Sequence, residues 1–207
     1  MIAVVDYGVG NLFSLCASLE FLNVESVVTA DKSVLEKADG IILPGVGAFE
    51  DAAKKLSENG LDTFLCEQAK NGKPLMGICL GMQMLFDKSY EYGEHRGLGL
   101  IKGEVCDLNL DVENLKVPQI GWNSLTFRQN EDSLVKYIKE GSHVYYVHSF
   151  YAKNCDESIV AYSNYGVDVP GIVRNGNVCG TQFHPEKSGE VGLNILKAFV
   201  ETAEGKN

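Results

Sequence analysis

Along the first half of the chain, short continuous apolar runs alternate with stretches whose apolar side chains recur every three to four residues. Residues 2–5 form an apolar run, residues 12–22 have helical spacing, and residues 24–29 and 40–43 again read as strands. Helical periodicity returns over residues 48–57 and 61–70, and residues 74–76 form a further strand. Strands alternating with helices predict a mostly parallel sheet flanked by helices, an α/β arrangement in which sites collect at the carboxyl ends of the strands. Asp6-Tyr7, Pro44-Gly45 and Cys79 all fall at such ends.

The second half changes period. Residues 97–106, 117–127, 144–152, 159–165, 172–174 and 178–183 read as strands of hairpins or a meander, and residues 193–201 as a closing helix. No linker, repeat or low-complexity segment interrupts the pattern. The expectation is one domain over residues 1–203, flavodoxin-like with an added antiparallel region, and a frayed tail over residues 204–207.

Composition narrows the function classes. The chain has 207 residues, 45% of them hydrophobic and 22% charged, enough for a sizeable core. A net charge of −10 would repel a phosphate backbone, and no basic patch offsets it, so nucleic acid is not an expected partner. Met1-Ile2-Ala3-Val4-Val5-Asp6 lacks the basic start of a signal peptide, and no apolar run reaches membrane-spanning length; a cytoplasmic location without a membrane partner is expected. Six cysteines without a CxxC pair argue against zinc, redox and disulfide roles. Tyr7-Gly8-Val9-Gly10 begins like a dinucleotide fingerprint, but Phe13 stands where its third glycine would be. Neither metal nor cofactor is expected.

One cysteine stands apart. In Gly77-Ile78-Cys79-Leu80-Gly81 an apolar strand turns into a helix through a cysteine with glycine two residues before and two after it. A nucleophile on a sharp strand-to-helix turn needs small residues at those positions, and a helix N-terminus favours the thiolate that attacks. Taken alone, the segment fits equally a tight turn with a buried structural cysteine. Cys16, Cys66, Cys106, Cys155 and Cys179 lack the paired glycines and read as packing or surface thiols.

Far downstream stands His184-Pro185-Glu186. Proline biases His184 to extended backbone, where residues two apart point the same way, so His184 and Glu186 can face one site or mark a surface turn. Beside Cys79, the imidazole could accept the thiol proton and return it to a leaving group while Glu186 fixes its tautomer. An oxyanion would need donors: the Leu80 amide, and a second from Pro44-Gly45-Val46-Gly47, at Val46 or Gly47. That turn reads equally as a plain loop.

Together these residues resemble the class I glutamine amidotransferases, whose Gly-x-Cys-x-Gly-x-Gln and distant His-Pro-Glu are met by Gly77, Cys79, Gly81, Gln83, His184, Pro185 and Glu186. Asp6-Tyr7-Gly8-Val9-Gly10-Asn11-Leu12, Leu43-Pro44-Gly45-Val46-Gly47, Gly97-Leu98-Gly99-Leu100, Ile120-Gly121-Trp122-Asn123 and Tyr146-Val147-His148-Ser149 resemble the branch of glutaminase subunits serving imidazole glycerol phosphate synthases. The resemblance implies a Cys79, His184, Glu186 triad that hydrolyses glutamine through a γ-glutamyl thioester. It also implies a heterodimer in which a (β/α)8 cyclase subunit uses the ammonia to make imidazole glycerol phosphate and an aminoimidazole carboxamide ribotide in histidine biosynthesis. By the same analogy Gly45, Gly47, Leu80, Gln83, Glu91, Ser149 and Phe150 would hold glutamine, and Asn11, Trp122, Asn123 and Lys187 would face the partner. Two positions depart from the pattern, which commonly has histidine at Gln119 and tyrosine at Phe150; both lie outside the triad.

His148 reads as a hydrogen-bonded structural histidine, since one base suffices, and His95 and His143 as solvated. Trp122, the only tryptophan, reads as core or as an interface anchor. The rival readings are a glutaminase for another synthase such as that of pyridoxal phosphate, a γ-glutamyl peptidase, and a binding module with no need of a base at His184.

Overall fold

The computed structural model describes residues 1–206. Its first half runs β1 (Ile2–Val5), α1 (Leu12–Phe21), β2 (Ser26–Thr29), α2 (Lys32–Lys37), β3 (Gly40–Gly45), α3 (Phe49–Glu58), α4 (Leu61–Lys70), β4 (Leu75–Cys79) and α5 (Leu80–Met84). The second half carries β5 (Lys88–Ser89), β6 (His95–Arg96), β7 (Glu104–Asp107), β8 (Gln119–Ser124), β9 (Thr126–Phe127), β10 (His143–His148) and β11 (Phe150–Lys153). It closes with β12 (Ile159–Asn164), β13 (Asp168–Asn175), β14 (Val178–Thr181) and α6 (Gly189–Ala203).

Eight strands form one sheet in the order β2-β1-β3-β4-β14-β13-β12-β9; the pairs from β2 to β14 are parallel, and β13, β12 and β9 extend the sheet antiparallel. Alternation along the strands builds two cores. Ala3, Val5, Ile41, Leu43 and Leu75 pack with Leu35, Phe49, Ala52, Leu56, Leu61 and Leu65 of α2, α3 and α4. Ile2, Val4, Ile42, Met76 and Ile78 pack on the other side with Leu15 and Leu19 of α1 and Ile195, Leu196 and Phe199 of α6. The sheet is thus the middle layer of an α/β/α sandwich, as the alternating pattern predicts, and the order reverses between β1 and β3, the crevice where such folds place ligands.

Several expected elements differ. Helix α2 carries only one buried residue, Leu35, too few to create a period; its start is fixed by Asp31, which accepts from the Ser33 amide at 2.8 Å. Of the strand expected over residues 97–106 only β7 forms. Leu98, Gly99 and Leu100 instead donate their amides to the carbonyls of Met84, Phe86 and Leu85, which the early end of α5 leaves free. The run expected over residues 144–152 is broken at Ser149: β10 pairs with β8 in a two-stranded sheet, and β11 joins β7, β5 and β6 in a third sheet. Helix α6 starts four residues before the expected Leu193, led in by a 3-10 turn over Pro185–Lys187. In the expected tail, the amides of Glu204, Gly205 and Lys206 are still bonded to the last turn of α6, and Asn207 lies outside the described residues. No helix among the described residues is long and apolar enough to cross a membrane.

Candidate active site

Register places the chemistry. In the β3–β4 pairing Gly45 stands opposite Cys79, and in the β4–β14 pairing Thr181 stands opposite Ile78. The glycine turn, the cysteine and the segment leading to His184 therefore leave the sheet side by side at its carboxyl edge.

Cys79 ends β4 with φ +56° and ψ −111°, a region that non-glycine residues adopt only when the surroundings enforce it. The flanking glycines permit the bend: a Cβ on Gly77 would stand 2.5 Å from the Gly81 carbonyl oxygen, and one on Gly81 would run into the Leu43 carbonyl. The helix that follows is five residues long, so the thiolate support expected from it is that of little more than one turn. Burial pushes up the thiols of Cys16, Cys66, Cys106, Cys155 and Cys179, the last two to about 12, which fits their expected inertness.

His184 is extended as expected, with φ −93° and ψ 102°, but it meets Glu186 by a different geometry from the strand spacing expected. Pro185 opens the 3-10 turn, and this folds Glu186 back so that His184 donates from Nδ1 to its Oε1 at 2.8 Å. The turn is pinned by the His184 amide on the Tyr145 carbonyl at 3.0 Å and by the Ser188 hydroxyl on the His184 carbonyl at 2.6 Å. With Nδ1–H committed, Nε2 is the basic nitrogen. Burial works against the imidazolium, yet the Cys79 sulfur and the Glu186 carboxylate outweigh it and raise His184 to about 9. The other carboxylate oxygen of Glu186, Oε2, is buried and has no partner among the described residues.

A cavity of about 320 Å³ opens on Cys79 and His184; Val46, Gly47, Leu80, Gln83, Glu91, Ser149, Phe150 and Lys187 line it. The break at Ser149 is what lets the β10–β11 segment run along this wall. Gly45 is set back in the sheet beside a narrower cleft shared with Asn11, Leu15, His184 and Glu186. Val46 and Gly47 form the rim next to Cys79, and Gly47 has φ +92° with open space where a Cβ would stand. Glu91 accepts from the Phe49 amide at the start of α3 at 2.7 Å; burial raises its pKa, partly offset by that bond.

Of the four expected interface residues, two sit at the catalytic turn and two on β8. Lys187 and Asn11 flank the catalytic turn. Trp122 is 56% exposed on β8, edge-on to Tyr145, so it is not a core residue. Asn123 points to the opposite side of that strand and donates to the Asn164 carbonyl at 2.8 Å.

His148 is buried and bonded, as expected: Nδ1 lies 2.9 Å from the Phe150 carbonyl and Nε2 2.9 Å from the Gln119 amide. Burial keeps it neutral, with its pKa lowered to about 4. The position that departs from the family histidine thus supplies the partner of this ring. His143 is exposed as expected, but His95 is not simply solvated, since its Nε2 is buried and has no partner among the described residues. Sequence reasoning noted Tyr7 only for its place at a strand end and passed over Gln182; the Tyr7 hydroxyl donates to the Pro44 carbonyl at 2.8 Å and holds the glycine turn, and Gln182 Nε2 lies 3.8 Å from the Cys79 sulfur. A polar residue inside an apolar strand end was the signal available for Gln182.

A family model described as glutamine amidotransferase class-I matches residues 3–203. The imidazole glycerol phosphate synthase subunit HisH of Geobacillus sp. (strain WCH70) is 50% identical over 210 residues, spanning 100% of this chain and 99% of that protein. The protein of the same name from Listeria monocytogenes serotype 4a (strain HCC23) is 47% identical over 201 residues, spanning 97% and 95%. A crystal structure of a glutamine amidotransferase aligns with a TM-score of 0.77 at 22% identity over 99% of this chain and 100% of that one. PurLQS from Thermotoga maritima aligns with a TM-score of 0.74 at 24% identity over 97% of each chain. The structural matches carry the fold, the sequence matches extend from end to end, and this chain belongs to the class I glutamine amidotransferase family.

Proposed function

We propose that this chain is the glutaminase subunit of an imidazole glycerol phosphate synthase, with Cys79 as nucleophile, His184 as base and acid, and Glu186 as its orienter. The observation that carries the chemistry is the convergence of a strained cysteine with a His184–Glu186 pair on one cavity. The synthase is inferred from relatives of that name that match the whole chain at about half identity.

In this reading His184 Nε2 takes the thiol proton, and the Cys79 sulfur attacks the side-chain carbonyl carbon of glutamine. Leu80 and the Val46-Gly47 turn supply the amides that face the oxyanion. Collapse of the tetrahedral intermediate breaks the carbon–nitrogen bond, His184 returns the proton, and ammonia leaves. Water, deprotonated by His184, then cleaves the thioester to glutamate and frees the thiol. Glutamine and water become glutamate and ammonia, with no change in oxidation state. In this reading Glu91, Gln83 and the Ser149-Phe150 wall, which line the cavity, hold the amino-acid end of glutamine.

The ammonia receiver is a separate cyclase subunit of (β/α)8 form, docked over the sheet edge. Trp122 and Ile120 are 56% and 62% exposed on one face of β8, an apolar surface suited to a partner. Tyr145, which packs on Trp122, also receives the His184 amide, so docking there would bear on the base. Purification with the cyclase of the same organism, followed by ammonia release from glutamine with and without cyclase substrate, tests both halves. A stable pair whose glutaminase rate rises on loading is the expected result; an active chain that no cyclase binds would refute the synthase assignment.

A further inference from the structure

We propose that Gln182 is a catalytic residue of this site, one whose side-chain N–H donates to the Cys79 sulfur and holds it as the thiolate. The proposal rests on the glutaminase reading of Cys79.

Gln182 is fully buried and makes three ordered contacts, two through its side-chain amide and one through its backbone. Its Nε2 lies 3.8 Å from Cys79 Sγ, its Oε1 accepts from Gln83 Nε2 at 3.0 Å, and its backbone amide donates to the Gly171 carbonyl at 2.9 Å. Which end of the amide faces the sulfur is decided by Gln83. The Gln83 carboxamide donates one N–H to the Phe150 carbonyl at 2.9 Å and the other to Gln182, so the Gln182 oxygen is committed and its N–H is left for the sulfur. The same sulfur lies 4.0 Å from the Val147 carbonyl, to which only the protonated thiol donates, so the Gln182 N–H is the contact that favours the charged form; hydrogen bonds to an acceptor strengthen when it is charged. Burying an amide where an apolar side chain would pack as well carries a desolvation cost, and a contact to the reacting atom accounts for it. The segment after β14 thereby contributes twice: a donor at Gln182 and, two residues on, the base at His184. Gln83 lines the glutamine cavity, so bound substrate touches the same hydrogen-bond chain.

The test uses Gln182→Met, which keeps the shape and removes the donor, in the full chain complexed with its cyclase. Alkylation of Cys79 by iodoacetamide is followed by peptide mass spectrometry, and glutaminase kinetics are measured on the same samples. Near pH 7 the variant should alkylate about tenfold more slowly, the effect of a charge-assisted bond at the weak end of its range, and kcat should fall in step with little change in KM. At about pH 10, above the ordinary thiol pKa, the alkylation deficit should close. Equal alkylation near pH 7, or a deficit that persists undiminished at high pH, would overturn the proposal, the second by showing a displaced sulfur. If melting shows the methionine variant unfolded, Gln182→Asn, whose shorter amide does not reach the sulfur, takes its place. Alkylation needs no glutamine, so it decides the role of Gln182 even where the wild-type complex releases no ammonia, a result that would refute only the glutaminase reading.

Discussion

The imidazole of His184 donates from Nδ1 to Oε1 of Glu186 at 2.8 Å, and both side chains are 3% exposed. Glu186→Gln keeps the shape but lets an amide N–H face Nδ1, which favours the wrong tautomer. The comparable change in serine triads lowers turnover about 10⁴-fold. A fall of that order in glutaminase kcat of the complex is expected, with an unchanged melting temperature. A rate within tenfold of wild type would show that Glu186 does not orient the base.

His148 gives stability a pH signature. The unfolded chain takes up this proton near the ordinary histidine value of about 6.5, whereas in the folded chain burial delays uptake to about 4. Between these values the unfolded state binds more protons, so stability present above the upper value is lost as pH falls, by about 3 kcal/mol. Urea unfolding across that window should show this loss, and His148→Gln should flatten it. An equally steep loss in the variant would assign it to other groups.

Much of the fold could be read from the chain because its signals are local. The βα units of the first half follow from apolar runs and helical spacing, and Gly77 and Gly81 mark the turn because no Cβ fits at either position. What escaped was set by tertiary partners. The break at Ser149 exists because β10 and β11 pair with different sheets, which an unbroken apolar run does not reveal. The His184–Glu186 contact was expected from the right residues by the wrong geometry, since the compact turn depends on Tyr145 and Ser188, residues remote from or just beyond the motif. Gln182 acquires its meaning only through Gln83, a residue distant in sequence.

The departure at Phe150 bears on affinity. Its backbone carbonyl, rather than its ring, accepts from Gln83 and His148. Phe150→Tyr should therefore shift KM for glutamine by less than tenfold, about 1.4 kcal/mol. A larger change would show that the ring itself contacts substrate.

Gly47 has φ +92° at the cavity rim, with room for a methyl group but not the backbone freedom for one. Gly47→Ala should displace the turn's amide from the oxyanion, and loss of one such donor costs about 10²- to 10³-fold in turnover. The partner-activated kcat should fall by that order while cyclase binding, measured by calorimetry, stays unchanged. Full activation in the variant would remove this turn from the oxyanion site.

In the proposed reaction Cys79 carries the acyl group. Ammonia release from glutamine by the cyclase-bound, substrate-loaded complex, measured for wild type and Cys79→Ala, tests it most directly. Release in the wild type and none above background in a folded, cyclase-binding Cys79→Ala complex is the predicted result. Release at the wild-type rate from Cys79→Ala would contradict it.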